Sequence, residues 1–366
     1  MDEKTKQGLI TKAIAFSITL GLIISILVVW GVGIQDVLDH FREASWLLIL
    51  GYILVSLMVA VAITAKWAVA LDAYGVRLPF YTLFIYRLIG FSVSYVTPAM
   101  HVGGEPVRAL LVGRQGIPYK VSFSAVIVDK MLEMLFNFTM FFLGALVILN
   151  VAGFPLIARA SIFVLSAVLV AALAILLYNV LKKQKVFVPI LRFFRVDRRK
   201  DWKRIKKSVN EVEILIEHFY AHRNKHFLAS LSLNAILWCL MFLEYKLALL
   251  ILGYDAGLFG IFLFLTGVGI AYSIPIPAAL GVLELGQVSA GALLGIKSSF
   301  GVALAFLVRL RDICWTIIGL ALLGLFHLNL FRLYERSVGA AKKYNFDTLH
   351  PELRNLYENV YEEMRR

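Results

Sequence analysis

The sequence predicts an all-α polytopic membrane protein: six spanning helices plus two oppositely oriented re-entrant hairpins in an inverted-topology repeat. Three observations predict it. Hydrophobic residues make up 60% of the 366-residue chain and charged residues only 17%, with a mean hydropathy of +0.80, a balance foreign to soluble domains. Apolar runs long enough to cross a bilayer, about 20 residues each, recur along the chain. Two further hydrophobic regions are interrupted by related Pro/Gly motifs, as in the discontinuous helices of transporters.

The elements follow in order. Residues 1–12 are polar and carry Lys4, Lys6 and Lys12, and the apolar run behind them is too long for a signal-peptide core and lacks a cleavage site. It is expected to be the first span, 9–33. The loop 34–45 holds Asp36, Asp39 and Glu43 and is bracketed by Trp30 and Trp46, as interfacial aromatics should bracket an external loop. Spans are then expected at 46–71, 118–149, 157–181, 227–252 and 299–328. Cys239 and Cys314 fall inside apolar segments and are read as small core residues.

Side assignment rests on charge. Residues 182–226 contain fourteen Lys/Arg against five acids, contributing +9 of the chain's net +13. Between spans, that excess marks the cytoplasmic face. The signatures of nucleic-acid binding are missing, so no nucleic-acid partner is expected. Lys4, Lys6, Lys12, Arg332, Arg336, Lys342 and Lys343 place both termini in the cytoplasm of a multi-pass protein of the cell (plasma) membrane. Four parts result: an N-terminal membrane half (1–181) with hairpin 79–117, a basic amphipathic segment (182–226), a C-terminal membrane half (227–328) with hairpin 255–296, and a helical tail (329–366). Within the basic segment, Ile205, Val209, Val212, Ile216 and Phe219 form an apolar stripe opposite a basic face, which suits an anionic lipid surface on the cytoplasmic side. His218, His222 and His226 recur at helical spacing, but nothing completes a metal site.

The two interruptions resemble each other. The first runs Tyr95-Val-Thr-Pro98-Ala-Met-His101-Val-Gly103-Gly104-Glu105-Pro106-Val-Arg108; the second runs Tyr272-Ser-Ile-Pro275-Ile-Pro277-Ala-Ala-Leu-Gly281-Val-Leu-Glu284. In both, a carboxylate follows a proline by seven residues, and a charged span follows the carboxylate: Asp129 comes 24 residues after Glu105, and Arg309 comes 25 after Glu284. Counting spans makes 79–117 begin and end inside and 255–296 begin and end outside. Irregular backbone survives at membrane depth only within protein or beside a wet cavity, so the hairpin tips are expected near the midplane.

The predicted hydrophobic layer holds Lys66, Glu105, Arg108, Asp129, Lys130, Glu133, Glu284, Arg309, Arg311 and Asp312. Each would cost about 2.5–3.5 kcal/mol at the bilayer centre on insertion scales, so they should pair or face water. Asp129 and Glu133 share a helical face; Arg309 and Asp312 do likewise and can pair. Lys66 is expected nearest the interface, able to snorkel, and Glu244 and Lys246 are read as a rim pair. The candidate substrate-binding residues are Arg108, Arg309, Arg311 and Lys130, whose cationic groups suit phosphate, with Tyr95 and Tyr272 beside them. Gly103, Gly104 and Gly281 permit close backbone approach. Glu105, Glu284, Asp129, Glu133 and Asp312 form the coupling or charge network, and Glu105 or Glu284 could carry a coupling proton or cation. No Ser-His-Asp, nucleotide-binding or metal motif is present, so neither enzyme activity nor cofactor nor metal is expected.

Gly103-Gly104-Glu105-Pro106-Val107-Arg108, the pair Asp129-Lys130, and Pro275-x-Pro277-x-x-x-Gly281-x-x-Glu284 followed by Arg309 resemble the lysylphosphatidylglycerol synthase transmembrane family over roughly residues 10–328. The resemblance implies a flippase-like domain that moves aminoacylated phosphatidylglycerol between leaflets, here in a stand-alone form without the aminoacyltransferase domain. Ala278-Ala279 stand where that family carries a glycine pair. The expected function is therefore a lipid translocase moving a phospholipid or polyprenyl-linked lipid by alternating access, with membrane lipid as substrate and homo-oligomerisation left open. The alternatives are a membrane accessory or scaffold protein for a lipid-linked glycosyltransferase, and an ion-coupled transporter of a small polar solute.

Overall fold

The computed structural model describes residues 26, 27, 30, 34–42, 44–97, 103–149, 156–182, 184–193, 195–198, 201–272, 274 and 276–326. Most of the expected first span, the tail 329–366, and Pro98, His101 and Pro275 of the motifs lie outside them. Among the described residues every regular element is helical: α1 Ile34–Asp39, α2 Trp46–Asp72, α3 Phe80–Val96, α4 Gly104–Gly113, α5 Tyr119–Leu149, α6 Leu156–Leu181, α7 Phe187–Phe193, α8 Trp202–His222, α9 Asn224–Ile251, α10 Leu258–Tyr272, α11 Val282–Leu293 and α12 Ser298–Leu325. Single 3₁₀ turns occur at Val196–Arg198 and Pro277–Ala279.

One sequence of elements occurs twice. Helices α2–α5 have 27, 17, 10 and 31 residues, and α9–α12 have 28, 15, 12 and 28. In each set the break falls between the second and third helix. The joints agree as well. Gly75, after α2, and Gly253, after α9, have φ of 76° and 79°. Each closes its helix with the same hydrogen-bond pair: Val76 N–H to Leu71 and Gly75 N–H to Asp72, Tyr254 N–H to Leu249 and Gly253 N–H to Leu250. This is the Schellman stop, which needs a left-handed residue and so favours glycine. Pro79 and Pro118 supply carbonyls to the opening turns of α3 and α5, a position where proline costs nothing.

The arms of each broken pair touch through glycine. A Cβ added at Gly104 would lie 1.9 Å from the Gly90 carbonyl oxygen, and one at Gly286 would lie 2.8 Å from that of Gly267. No side chain larger than hydrogen lets the backbones come so near.

The chain divides into two compact units. The first draws on Met1–Val61, Arg87–Gly104 and Leu237–His327. There α11 packs on both α10 and α12, around buried Leu283, Phe264, Ala303 and Val308. The second draws on Ala62–Tyr86, Glu105–Ile236 and Leu328–Arg366. Here α5 packs on α6 and α8, and Trp67, Leu71, Tyr74, Leu132 and Phe219 are fully or almost fully buried.

Two helices, α2 and α9, are long and apolar enough to cross a membrane among the described residues. Their exposed faces are apolar rather than polar: Leu47, Leu50, Ile53, Leu54, Leu57 and Met58 project outward from α2. So large an apolar surface calls for lipid or a partner. Cys239 and Cys314 are exposed, not in the core as expected. A small apolar thiol suits a lipid-facing surface as well as a core. The α8 stripe differs too: Val212, Ile216 and Phe219 are buried within their own unit, and Tyr74 donates to the Leu215 carbonyl beside them. That stripe packs on protein, leaving the basic face outward.

Candidate functional site

The ionisable residues expected inside the hydrophobic layer gather into two clusters, one in each unit. In the second unit the centre is Arg108, whose side chain is 1% exposed. The half-helix α4 carries it one turn beyond Glu105, so the pair forms at i, i+3: Nε and Nη2 donate to Glu105 Oε2 at 2.9 and 2.6 Å. Nη1 reaches Asp129 Oδ2 at 3.4 Å, and the guanidinium lies 5.0 Å from the Trp67 ring centroid, a cation–π distance. Lys66 enters from α2 and reaches Glu133 at 2.8 Å and Asp129 at 3.4 Å. Lys130 pairs with Glu133 at 2.6 Å and lies 3.9 Å from Glu105.

Three cations thus face three carboxylates. Asp129 and Glu133 share a face, as the helical spacing predicted, and Lys66 spans both. Lys66 is not an interfacial snorkeler: its side chain is completely buried, because two carboxylates and the Asn234 amide oxygen at 3.5 Å hold it inside.

In the first unit, Arg309 of α12 binds Glu284 in the first turn of α11. Its Nη2 donates to both carboxylate oxygens, at 2.7 and 2.8 Å, and Nη1 donates to the Ala278 carbonyl at 3.0 Å. Arg309 does not pair with Asp312. Arg311 takes Asp312 instead, at 2.8–3.0 Å, and also Glu244 at 2.7 Å. Tyr272 donates its hydroxyl to Asp312, and Tyr95 lies within electrostatic reach of Arg309 and Asp312. Glu244 is therefore no rim residue: it is 2% exposed, while Lys246 pairs with the exposed Asp255.

The backbone at the second break is strained. Ala278 and Ala279 have φ of 53° and 47°, and Gly281, the N-cap of α11, has φ of 77°. Left-handed alanine costs roughly 1–2 kcal/mol. The turn keeps a glycine-type geometry although alanine occupies it. At the first break, the Gly104 N–H is satisfied by Ser94 Oγ at 2.8 Å, and Gly103 stands half-buried beside it.

Among the described residues no group of three His, Cys, Asp or Glu converges as a metal site; His226 instead contacts Asp72 at 3.1 Å. Sequence reasoning missed Glu244 as a cluster member, along with Tyr52 and Tyr245, which stand within electrostatic reach of Arg311, Glu244 and Asp312.

Compared with known proteins, residues 14–336 match the family model described as the lysylphosphatidylglycerol synthase transmembrane region. The chain belongs to this family. A family relative described as a UPF0104 membrane protein, from Methanothermobacter thermautotrophicus, is 22% identical over 311 residues, which cover 81% of this chain and 90% of the relative. A second UPF0104 membrane protein, from Methanocaldococcus jannaschii, is 32% identical over 103 residues, covering 27% of this chain and 30% of the relative. Family membership and the apolar helices together make this a membrane protein.

Proposed function

We propose that the protein is a lipid translocase that moves a phospholipid or polyprenyl-linked lipid between leaflets by alternating access. One observation carries this proposal: at both breaks, the helix that follows opens with a buried carboxylate held by an arginine, Glu105 by Arg108 and Glu284 by Arg309. Paired discontinuous helices of this kind are where transporters bind their substrates. The arms favour re-entrance. At 1.5 Å per residue, α4, α11 and α10 extend only about 15–22 Å, short of the ~30 Å hydrocarbon core. Six spans, opposite hairpin orientations, cytoplasmic termini and a plasma-membrane location complete the proposal. The family's description, which names a lipid-modifying synthase, supports lipid as the cargo.

In the second unit Arg108 and Lys130, and in the first unit Arg309 and Arg311, would each take a head-group phosphate by exchanging a carboxylate partner for a phosphate partner, so that no guanidinium is left buried and bare. Tyr95 and Tyr272 offer hydroxyls, and Gly103, Gly104 and Gly281 let the head group approach the backbone. Glu105, Glu284, Asp129, Glu133 and Asp312 hold the cations between cycles.

A second reading, an accessory protein for a membrane enzyme, is favoured by the matched charges around Arg108, since a purely structural network would also pair every cation. Reconstitution separates the two. Proteoliposomes carrying fluorescent phospholipid should show protein-dependent movement between leaflets that Arg108→Ala and Arg309→Ala reduce by at least tenfold. Movement at wild-type rates in both variants would remove these arginines from the site, and no movement by the wild type would favour the accessory role.

A further inference from the structure

The two clusters differ in charge. Around Arg108 three cations meet three carboxylates. Around Arg311 one guanidinium serves two carboxylates, Glu244 and Asp312. Arg309 brings no relief, because Glu284 occupies it. The Arg311 group therefore carries one surplus negative charge, and both carboxylates are 2–3% exposed. A buried net charge is costly unless something compensates it.

The two acids are not served alike. Asp312 takes two donors from Arg311 on one oxygen and the Tyr272 hydroxyl on the other. Glu244 receives Arg311 on Oε2, while its Oε1 is buried with no hydrogen-bond partner. The Tyr245 hydroxyl, within electrostatic reach of Glu244, is likewise buried without a partner, on a residue 3% exposed. Tyr52, from α2, brings a third oxygen beside Arg311. A vacant carboxylate oxygen and phenolic oxygens in a shielded place with one surplus negative charge form a hard-oxygen site. With only one carboxylate oxygen free, it suits a single rather than a double charge.

We propose that Glu244, with the hydroxyls of Tyr245 and Tyr52, binds one alkali-metal cation, which neutralises the Arg311 cluster. Binding stands on this geometry alone; calling the ion a coupling ion rests on the translocase proposal. Occupied, the cluster is neutral and stays closed. Empty, it carries a buried charge that favours admission of water, so that ion occupancy biases the conformation of this unit.

The test uses the full chain in lipid nanodiscs. Melting would be followed in sodium, potassium and choline chloride at matched ionic strength and pH, with radioactive sodium binding measured in parallel. A saturable upward shift in melting temperature with sodium or potassium over choline is expected, with about one ion bound per chain. Glu244→Gln should abolish both the shift and the binding. Glu244→Asp, which keeps the charge, should retain binding at lower affinity, and Asp255→Asn on the surface should behave as wild type. Equal melting in all three salts, or an ion-specific shift that survives Glu244→Gln, overturns the site. A shift that follows pH in choline alone also overturns it, since a proton would then occupy Oε1. Ion binding without lipid movement in proteoliposomes would preserve the site and refute translocation. Lipid movement indifferent to the cation, with no ion bound, would do the reverse.

Discussion

Arg309 binds both oxygens of Glu284 with a single amino group, at 2.7 and 2.8 Å, while its other amino group holds the carbonyl of a left-handed alanine at 3.0 Å. One side chain thus fixes the helix that follows the second break and the turn that precedes it.

Arg309→Leu removes the guanidinium that binds both oxygens of a buried carboxylate and should destabilise the protein by about 3–5 kcal/mol. Pairing the change with Glu284→Leu should restore most of that, because an apolar pair replaces an ion pair at little net cost. Denaturation in micelles of the two single variants and the double variant measures this. Additive losses would show that the residues do not act as a pair.

Ala278→Gly should relieve left-handed strain. The relief, roughly 1–2 kcal/mol, is offset in part by the greater freedom of glycine in the unfolded chain, about 0.4–1 kcal/mol. A net stabilisation up to about 1 kcal/mol is expected, with Ala278→Val destabilising. Melting curves ranking Val above Gly would contradict the backbone assigned to this turn.

Gly104→Ala and Gly286→Ala force a methyl group against a carbonyl oxygen of the facing arm. Backbone cannot move aside as a flexible side chain can, so each should cost about 1–3 kcal/mol. Gly257→Ala, where an added Cβ meets nothing within 4 Å, is the matched control. Equal stability across the three variants would mean the arms do not cross at these glycines.

Tyr220 of α8 has a buried hydroxyl without a partner, edge-on to Phe219 and Phe227, and burial pushes its phenol well above the ordinary tyrosine value. The folded state therefore resists ionisation more than the unfolded one. Its contribution is intact below the unfolded value, near pH 10, and is lost as pH rises through the folded one. Tyr220→Phe should flatten the alkaline limb of the stability profile and, by removing an unsatisfied group, raise stability at neutral pH by about 1 kcal/mol. An unchanged alkaline limb would remove Tyr220 as its source.

Periodicity and Pro/Gly breaks made the helices legible: the expected span 46–71 matches α2, and both interruptions fall where the motifs placed them. The shared face of Asp129 and Glu133 was legible from spacing, whereas the expected Arg309–Asp312 pair gave way to Arg309–Glu284. Other partners were not legible, because they come from distant segments. Lys66 finds Glu133 67 residues away, and Arg311 finds Glu244 across the same separation. A lone acid near the end of an apolar run looks like a rim residue until a distant helix brings its cation. The α8 stripe was ambiguous for a different reason, since an apolar face is satisfied equally by lipid or by protein. The left-handed turn at Ala278 and Ala279 was not legible, because alanine rarely adopts a positive φ.

That turn has a mechanical consequence. A backbone held in an unfavourable well by a side chain is a loaded spring with Arg309 as its catch. Any anion that draws the guanidinium from Glu284 also slackens the grip on the Ala278 carbonyl, and the strain released offsets part of the work of parting the ions. Glycine at position 278 would keep the catch but remove the spring, leaving a chain that folds better and gains nothing when the guanidinium departs.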